Sequence, residues 1–368
     1  MRAWRLLILS LFLCFGAGLC AAQNPFPGEP AGSPPQGEQQ QQSQQPLGND
    51  VTGAQIEPPT IRVNTSVVLV PTLVEDHSGQ VIYGLKPSDF VLLDNGVKQN
   101  VHVDEELGKD PVSLVICLQR SRDAVLEFDK FARLGPLLQL FTGGNEGEAA
   151  LVVFDSKPVY LEGFQQDTSW IERDLQQLPE GDGGAAILDA VGFSINLLEQ
   201  RPPDRQRVLL LISETRDHGS RHITIPQLVE RIGTSNTLVF SVSFSPSKAE
   251  LMDWAKGNSG GGTNINLLGA MLMAVNATRR NVPKSLANLS GGEYEPFARE
   301  KAFEFRIAQA AKHAHNRYML SFYPSNPTPG LHTLDVKLTQ DYAAHVVARA
   351  SYWAVNDAAA NPVAPASK

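Results

Sequence analysis

The chain has 368 residues, 42% of them hydrophobic, with a formal net charge of −8 and three cysteines. That length and apolar content suffice to bury a core without covalent staples, and so few cysteines exclude a disulfide-dense scaffold. The acidic balance argues against nucleic acid and anionic membrane surfaces, which select basic patches.

Residues 1–22 read as a signal peptide: Arg2 and Arg5, the apolar run Leu6 to Leu13, and small residues ending at Ala22, where cleavage is expected. The run is too short for a membrane span, so none is expected in the mature chain, and Leu19 is bulky for acylation at Cys20. Cleavage would remove Cys14 and Cys20 and leave Cys117 as the mature chain's thiol. Export implies a periplasmic, cell-envelope or secreted location. Residues 23–59, with the tract Gln39 to Gln45, hold too few large apolar side chains to offset their chain entropy and read as a disordered linker.

Residues 60–108 read as a β-domain. Val63 to Val70 forms a strand, Glu75 to Gly79 a turn, and Phe90 to Val97 contains Asn95-Gly96, a two-residue hairpin signal, with Val101 to Val103 continuing the returning strand. Residues 109–315 alternate strands and helices, the pattern of a doubly wound, mostly parallel α/β sheet. Val112 to Ile116 is a β-branched apolar run suited to a central strand covered on both faces. A helix is expected over Asp123 to Leu140, then a hairpin of Ala149 to Phe154 and Pro158 to Phe164. Helices follow at Trp170 to Leu178 and Ile187 to Leu198, a strand at Val208 to Ser213, a helix at Ile225 to Ile232 and a strand at Thr237 to Phe244.

Beyond a Gly-rich loop at Asn258 to Thr263, Leu267 to Val275 reads as a packed helix. Leu286 to Pro296 is expected as the last strand of the sheet, with a helix running on to His315. Residues 316–355 hold strands at Asn316 to Pro324, Leu331 to Leu338 and His345 to Trp353, expected to pack with 60–108 as one β-sandwich so that edges are covered. Residues 356–368 form an Ala/Pro tail expected to be disordered. Neither glycine run precedes a Gly-Lys-Ser/Thr ending, so neither is a phosphate cradle.

Three segments converge on the crevice where open α/β sheets place ligands: the turn Cys117-Leu-Gln-Arg-Ser121, the loop Gly183-Gly-Ala-Ala186, and the strand end Ser213-Glu-Thr-Arg-Asp217. Together they resemble the von Willebrand factor type A domain, and the flanks resemble the bacterial, mostly acidobacterial, "VWFA-related" secreted proteins. The resemblance implies a Rossmann-like sheet bearing a metal-ion-dependent adhesion site built from Asp-x-Ser-x-Ser, a loop Thr and Ser-Asp-Gly. Here those places read Cys117, Gln119 and Ser121, then Ala185, then Glu214, so the site is degenerate. A hard dication wants compact oxygen donors; sulfur at Cys117 and nothing at Ala185 leave residual Mg²⁺ binding as the weak alternative, and no cofactor is expected.

A thiol enzyme would need a base beside Cys117, and His218 and His222 are the nearest candidates, but no motif brings them to it, so no enzymatic activity is expected. His313 and His315 are expected to cap the negative end of their helix, and Asp182 and Asp189 flank the Gly-Gly loop, with Asp189 on the helix surface. Asn64, Asn276 and Asn288 open glycosylation triplets that matter only in a glycosylating host. The expected function is an exported, non-catalytic module that binds another protein through a rim of Gln119, Arg120, Ser121, Arg216 and His218, with a cell-envelope scaffold as the alternative.

Overall fold

Strand β5 (Val112–Gln119) is buried at every position and has parallel neighbours on both sides, as its continuous apolar run requires. The computed structural model describes residues 67–104, 110–120, 134–143, 146–244, 281–297, 300–340 and 342–355. Around β5 lie β6 (Glu148–Phe154), β7 (Pro158–Gln165), β8 (Gln206–Ser213), β9 (Leu238–Ser243) and β10 (Tyr294–Pro296), in the order β10-β9-β8-β5-β6-β7. All pairs are parallel except β6 with β7, the expected hairpin, which carries register shifts near Leu151. The chain winds outward from β5 to β7, returns to β8, and then winds the other way. Its switch point therefore lies between the C-terminal ends of β5 and β8.

Helices cover both faces. Leu114, Ile116 and Leu118 of β5 join Leu138 and Phe141 of α1 (Leu134–Thr142), Ile171 of α2 (Trp170–Gln177), and Phe303 and Ile307 of α6 (Glu300–His315) in one core. Val115 and Cys117 point the other way, toward Ile187 and Val191 of α3 (Ile187–Glu199), Leu228 and Ile232 of α4 (Ile225–Ser235), and Leu286 of α5 (Val282–Ser290). The two-residue period of β5 is thus read out as two separate cores.

Segment 286–290 departs from expectation. It belongs to α5 rather than to a strand: Asn281 caps the helix by accepting the Lys284 N–H at 3.0 Å, Pro283 fits its first turn, and Gly291 ends it with φ +86°. The sheet strand is only Tyr294–Pro296.

The remaining strands form two four-stranded sheets. One has the order β13-β1-β11-β4, from β13 (Ala344–Ala348), β1 (Val68–Asp76), β11 (Tyr318–Phe322) and β4 (His102–Asp104). The other is β14-β12-β2-β3, from β14 (Ser351–Ala354), β12 (Gly330–Leu338), β2 (Phe90–Asp94) and β3 (Val97–Lys98). N- and C-terminal strands interleave in both, β1 lying between β11 and β13 and β2 pairing with β12. A shared apolar cluster includes Val70, Leu92, Leu320, Phe322 and Val336. Asn95 and Gly96 take the positive φ values of 47° and 81° that a tight hairpin needs.

Boundaries differ from the sequence reading in three places. Strand β1 runs on to Asp76, beyond the expected end at Val70 and into the turn expected from Glu75. The segment at 101–103 does not continue the hairpin: β4 crosses to the other sheet and pairs with β11. The single strand expected at His345 to Trp353 is two strands, broken at Arg349 and Ala350 where the chain changes sheets. The expectations for residues 1–66, 121–133, 245–280 and 356–368, including Asn64, Asn276 and Ser121, lie outside the described residues.

Candidate functional site

The strand β5 runs to Gln119, three residues further than its apolar run suggested. That extension moves the site. Cys117 lies below the rim, fully buried, with Ser194 of α3 as its polar neighbour. Cys117, expected at the head of the degenerate site, is therefore a core residue two positions before the strand's end at Gln119. Ser121 and Asp123 lie outside the described residues.

Burial pushes the Cys117 thiol up to about 12, and the Ser194 hydroxyl opposes this only in part. Near neutral pH such a thiol holds almost no thiolate, the reactive form. In the native protein Cys117 is expected to stay unmodified by a thiol reagent at pH 7.5 over a time in which the urea-unfolded chain reacts fully. Native labelling at the unfolded rate would contradict the burial.

At the switch point two residues that are 95 apart in sequence clasp each other. Gln119 Nε2 donates to Glu214 Oε1 at 2.8 Å, and the Glu214 backbone N–H donates to Gln119 Oε1 at 2.9 Å. His218 Nε2 lies 2.8 Å from the same Glu214 oxygen. The backbone of His218 also exchanges both hydrogen bonds with Ala185, at 3.0 and 3.1 Å. One loop is thereby tied to β5, β8 and the Gly-Gly loop together.

A second set of bonds fixes the start of α3. Asp217 accepts the Leu188 N–H at 3.1 Å and the Ser220 hydroxyl at 2.5 Å, while Ser220 Oγ accepts the Asp189 N–H at 3.1 Å. These satisfy N–H groups that a helix start leaves open. In return the Asp189 carboxylate accepts the N–H groups of Arg221, His222 and Ile223 at 2.8–3.2 Å. Asp189 is thus buried and structural, not on the helix surface as the sequence suggested. Its carboxylate is also favoured at the positive end of the helix.

The Gly-rich loop packs against the turn after β6. Asp182 accepts the N–H groups of Ser156 and Gly184 at 3.0 and 2.8 Å, and also the Ser156 hydroxyl. The Ser156 hydroxyl, then the Gly184 N–H, hold the Asp182 carboxyl below the usual range despite its exposure. Gly184 is required for the approach, since a Cβ there would stand 2.7 Å from the Ser156 backbone. Arg120 contacts Asp155 through Nε at 3.1 Å and Nη2 at 3.0 Å.

These contacts revise the expected rim. Gln119 is fully buried and Arg120 is mostly covered and paired, so both position loops instead of presenting a surface. Arg216 and His218 are exposed, and the sequence reading missed two exposed neighbours, Arg221 and His222. The signal for them was present in Glu214-Thr-Arg-Asp-His-Gly-Ser-Arg-His222. Its acidic members bond inward, which leaves the basic ones outside.

A resident Mg²⁺ would need an octahedron of oxygens at ~2.0–2.1 Å. Glu214 Oε1 is shared by Gln119 and His218, the Gln119 carbonyl oxygen is taken by a backbone N–H, and Ala185 has no side-chain oxygen. Among the described residues no group of three or more His, Cys, Asp or Glu could hold a metal, and Ser121 and Asp123 lie outside them.

Neither a family model nor a curated protein matches the chain. Among solved structures, the chain is similar to an aerotolerance-related membrane protein from Bacteroides fragilis at 14% identity, covering 55% of this chain and 98% of that one with a TM-score of 0.38. It is similar to BatB from Bacteroides thetaiotaomicron at 17% identity over 55% and 99% of the two chains, TM-score 0.35. The vWF domain of the type V pili tip protein Mfa5 from Porphyromonas gingivalis matches at 17% identity over 31% and 42%, TM-score 0.26. These likenesses are partial, and the assignment of the fold rests on strand order and direction. A parallel sheet wound both ways from a central β5, closed on one side by the antiparallel β7 and with the loop after β8 tied to the end of β5 and to the Gly-Gly loop at the switch point, gives the chain a von Willebrand factor A-like fold.

Proposed function

We propose that this is an exported, non-catalytic protein-interaction module whose contact surface is the loop after β8, working without a resident divalent cation. One observation carries the reading: Gln119 and His218 close Glu214 internally, so the loop after β8 is held to β5 and to the Gly-Gly loop by hydrogen bonds at the place where a cation would otherwise join them. A surface assembled in advance loses less entropy on binding. The outward Arg216, Arg221 and His222 suit an acidic protein surface, and Arg is favoured at interfaces. The deep burial of Cys117 supports the non-catalytic part, and the leader-like residues 1–22 support export.

The test is a photo-crosslinking residue at Thr234, on the exposed side of α4, compared with one at Arg216, in envelope extract with Mg²⁺ or with a chelator. A discrete adduct from position 216 only, equal in both media and reduced at least tenfold by Arg221→Glu, is the expected result. An adduct that needs Mg²⁺, or a melting temperature raised several degrees by millimolar Mg²⁺ or Mn²⁺, would overturn the cation-free reading. Capture indifferent to Arg221→Glu would move the interface elsewhere.

A further inference from the structure

Away from the rim, ionisable side chains gather where α6 and the end of the sheet meet the β-strand lobe. His313 of α6 is almost fully buried, its Nδ1 2.7 Å from Glu293 Oε2 and its Nε2 3.5 Å from Glu75 Oε2 on β1. Glu293 also takes Arg317, which donates a further bond to the Gly291 carbonyl at 2.6 Å. Glu295 on β10 pairs with Arg306 of α6 at 3.1 Å, and His345 on β13 stands opposite Glu75 in the register. His313 Nε2 and Glu75 Oε2 face each other with no other hydrogen-bond partner among the described residues.

The proton count of this arrangement decides its behaviour. A neutral imidazole has one N–H and one lone pair, yet both nitrogens of His313 face carboxylate oxygens. With the N–H on Nδ1 toward Glu293, the Nε2 lone pair points at Glu75. Away from water that contact repels unless one more proton is present, on the ring or on Glu75.

We propose that His313, Glu75 and Glu293 form a proton-held latch between the A-like domain and the β-strand lobe, closed while the His313–Glu75 contact carries its extra proton and loosened as that proton leaves. Opening lets water solvate both groups and removes the need for the proton. The closed state therefore binds one proton more than the open state, and opening becomes easier as pH rises, by up to tenfold per unit. The surroundings agree with this sign: burial, opposed first by His313, raises the Glu75 carboxyl above its usual range. Burial also works against Glu293, but Arg317 and His313 outweigh it and hold that carboxylate low.

Hydrogen exchange of the Ala310–His315 amides, in the last turns of α6 that carry His313, measured in the full chain and corrected for intrinsic exchange, tests the latch between pH 6.5 and 8.5. Wild-type protection is expected to fall by several-fold to tenfold per unit over part of that range. Glu75→Gln should flatten the profile, because an amide can donate to Nε2 without an added proton. A flat wild-type profile, or equal slopes in the two proteins, overturns the proposal. If Glu75→Gln does not fold, the wild type still decides: ¹⁵N shifts of the His313 ring and the ¹³C shift of the Glu75 carboxyl should show the extra proton near neutral pH. A neutral ring beside an ionised Glu75 would refute it.

Discussion

The Arg349→Met variant is expected to lose about 3–5 kcal/mol of stability to urea, because several buried carbonyls would be left without a donor. Arg349 is 3% exposed and sits where the chain passes from β13 to β14. Its guanidinium donates to the Ser351 carbonyl at 2.7 Å, the Asn236 side chain at 2.8 Å, the Leu69 carbonyl at 3.3 Å, the Ile232 carbonyl at 3.2 Å and the Gly233 carbonyl. None of these partners is a carboxylate. Burial brings its pKa down to about 10, well above neutrality, so the charge persists. The acceptors at Ile232 and Gly233 belong to the last turn of α4, where a helix leaves carbonyls without intrahelical donors and the dipole end is negative. Arg349 is thus the C-terminal cap of α4, supplied from the β-strand lobe. Methionine fills much of the same volume but donates nothing. A loss below about 1 kcal/mol would show that water replaces the guanidinium at little cost. Gly233 marks the same close contact, since a Cβ there would meet Trp353 Cβ at 2.8 Å.

Asp94→Ala should cost about 3 kcal/mol at pH 6 and remove a pH dependence that is expected of the native protein above it. Asp94 accepts from His332 Nδ1 at 2.8 Å and from the Tyr352 hydroxyl at 3.0 Å, and all three side chains are buried. The far ring nitrogen of His332 faces the Thr328 carbonyl at 2.6 Å. This cluster joins β2, β12 and β14 at the centre of one sheet. The Asp94 hydrogen bond, outweighing burial, raises the His332 pKa above its ordinary value. The stabilisation is then complete below about pH 6.5, the usual imidazole range, and is lost as pH rises through the raised value. Urea midpoints at pH 6 and pH 9 measure both effects. If Asp94→Ala retains the native slope between those values, the dependence arises in another group.

Much of the sheet was legible because strand burial is written locally. The unbroken apolar runs at Val112 to Ile116 and Val208 to Ile212 left no solvent face, and such strands belong in the middle of a parallel sheet. The hairpin at Asn95-Gly96 was readable for a similar reason, since few residues tolerate its positive φ. Polar residues were read less well. Asp189 looked like a helix surface residue until three N–H groups from a loop some thirty positions away were found on its carboxylate. His313 and His315 looked like caps, but His313 bridges Glu293 and Glu75, and His315 Nε2 lies 3.0 Å from the Leu140 carbonyl.

The sequence by itself determined the doubly wound frame, the central place of β5 and the hairpin at Asn95-Gly96, because periodicity and glycine placement are local facts. Only the tertiary structure decided where β5 stops, and with it that Cys117 is core and Gln119 is the clasp. It also decided which charges face inward. Glu214, Asp189 and Arg349 look as solvent-ready in the sequence as Arg216 does. What separates them is partners 95 residues away in the first case and up to 280 in the last, brought near by chain winding that no local window contains.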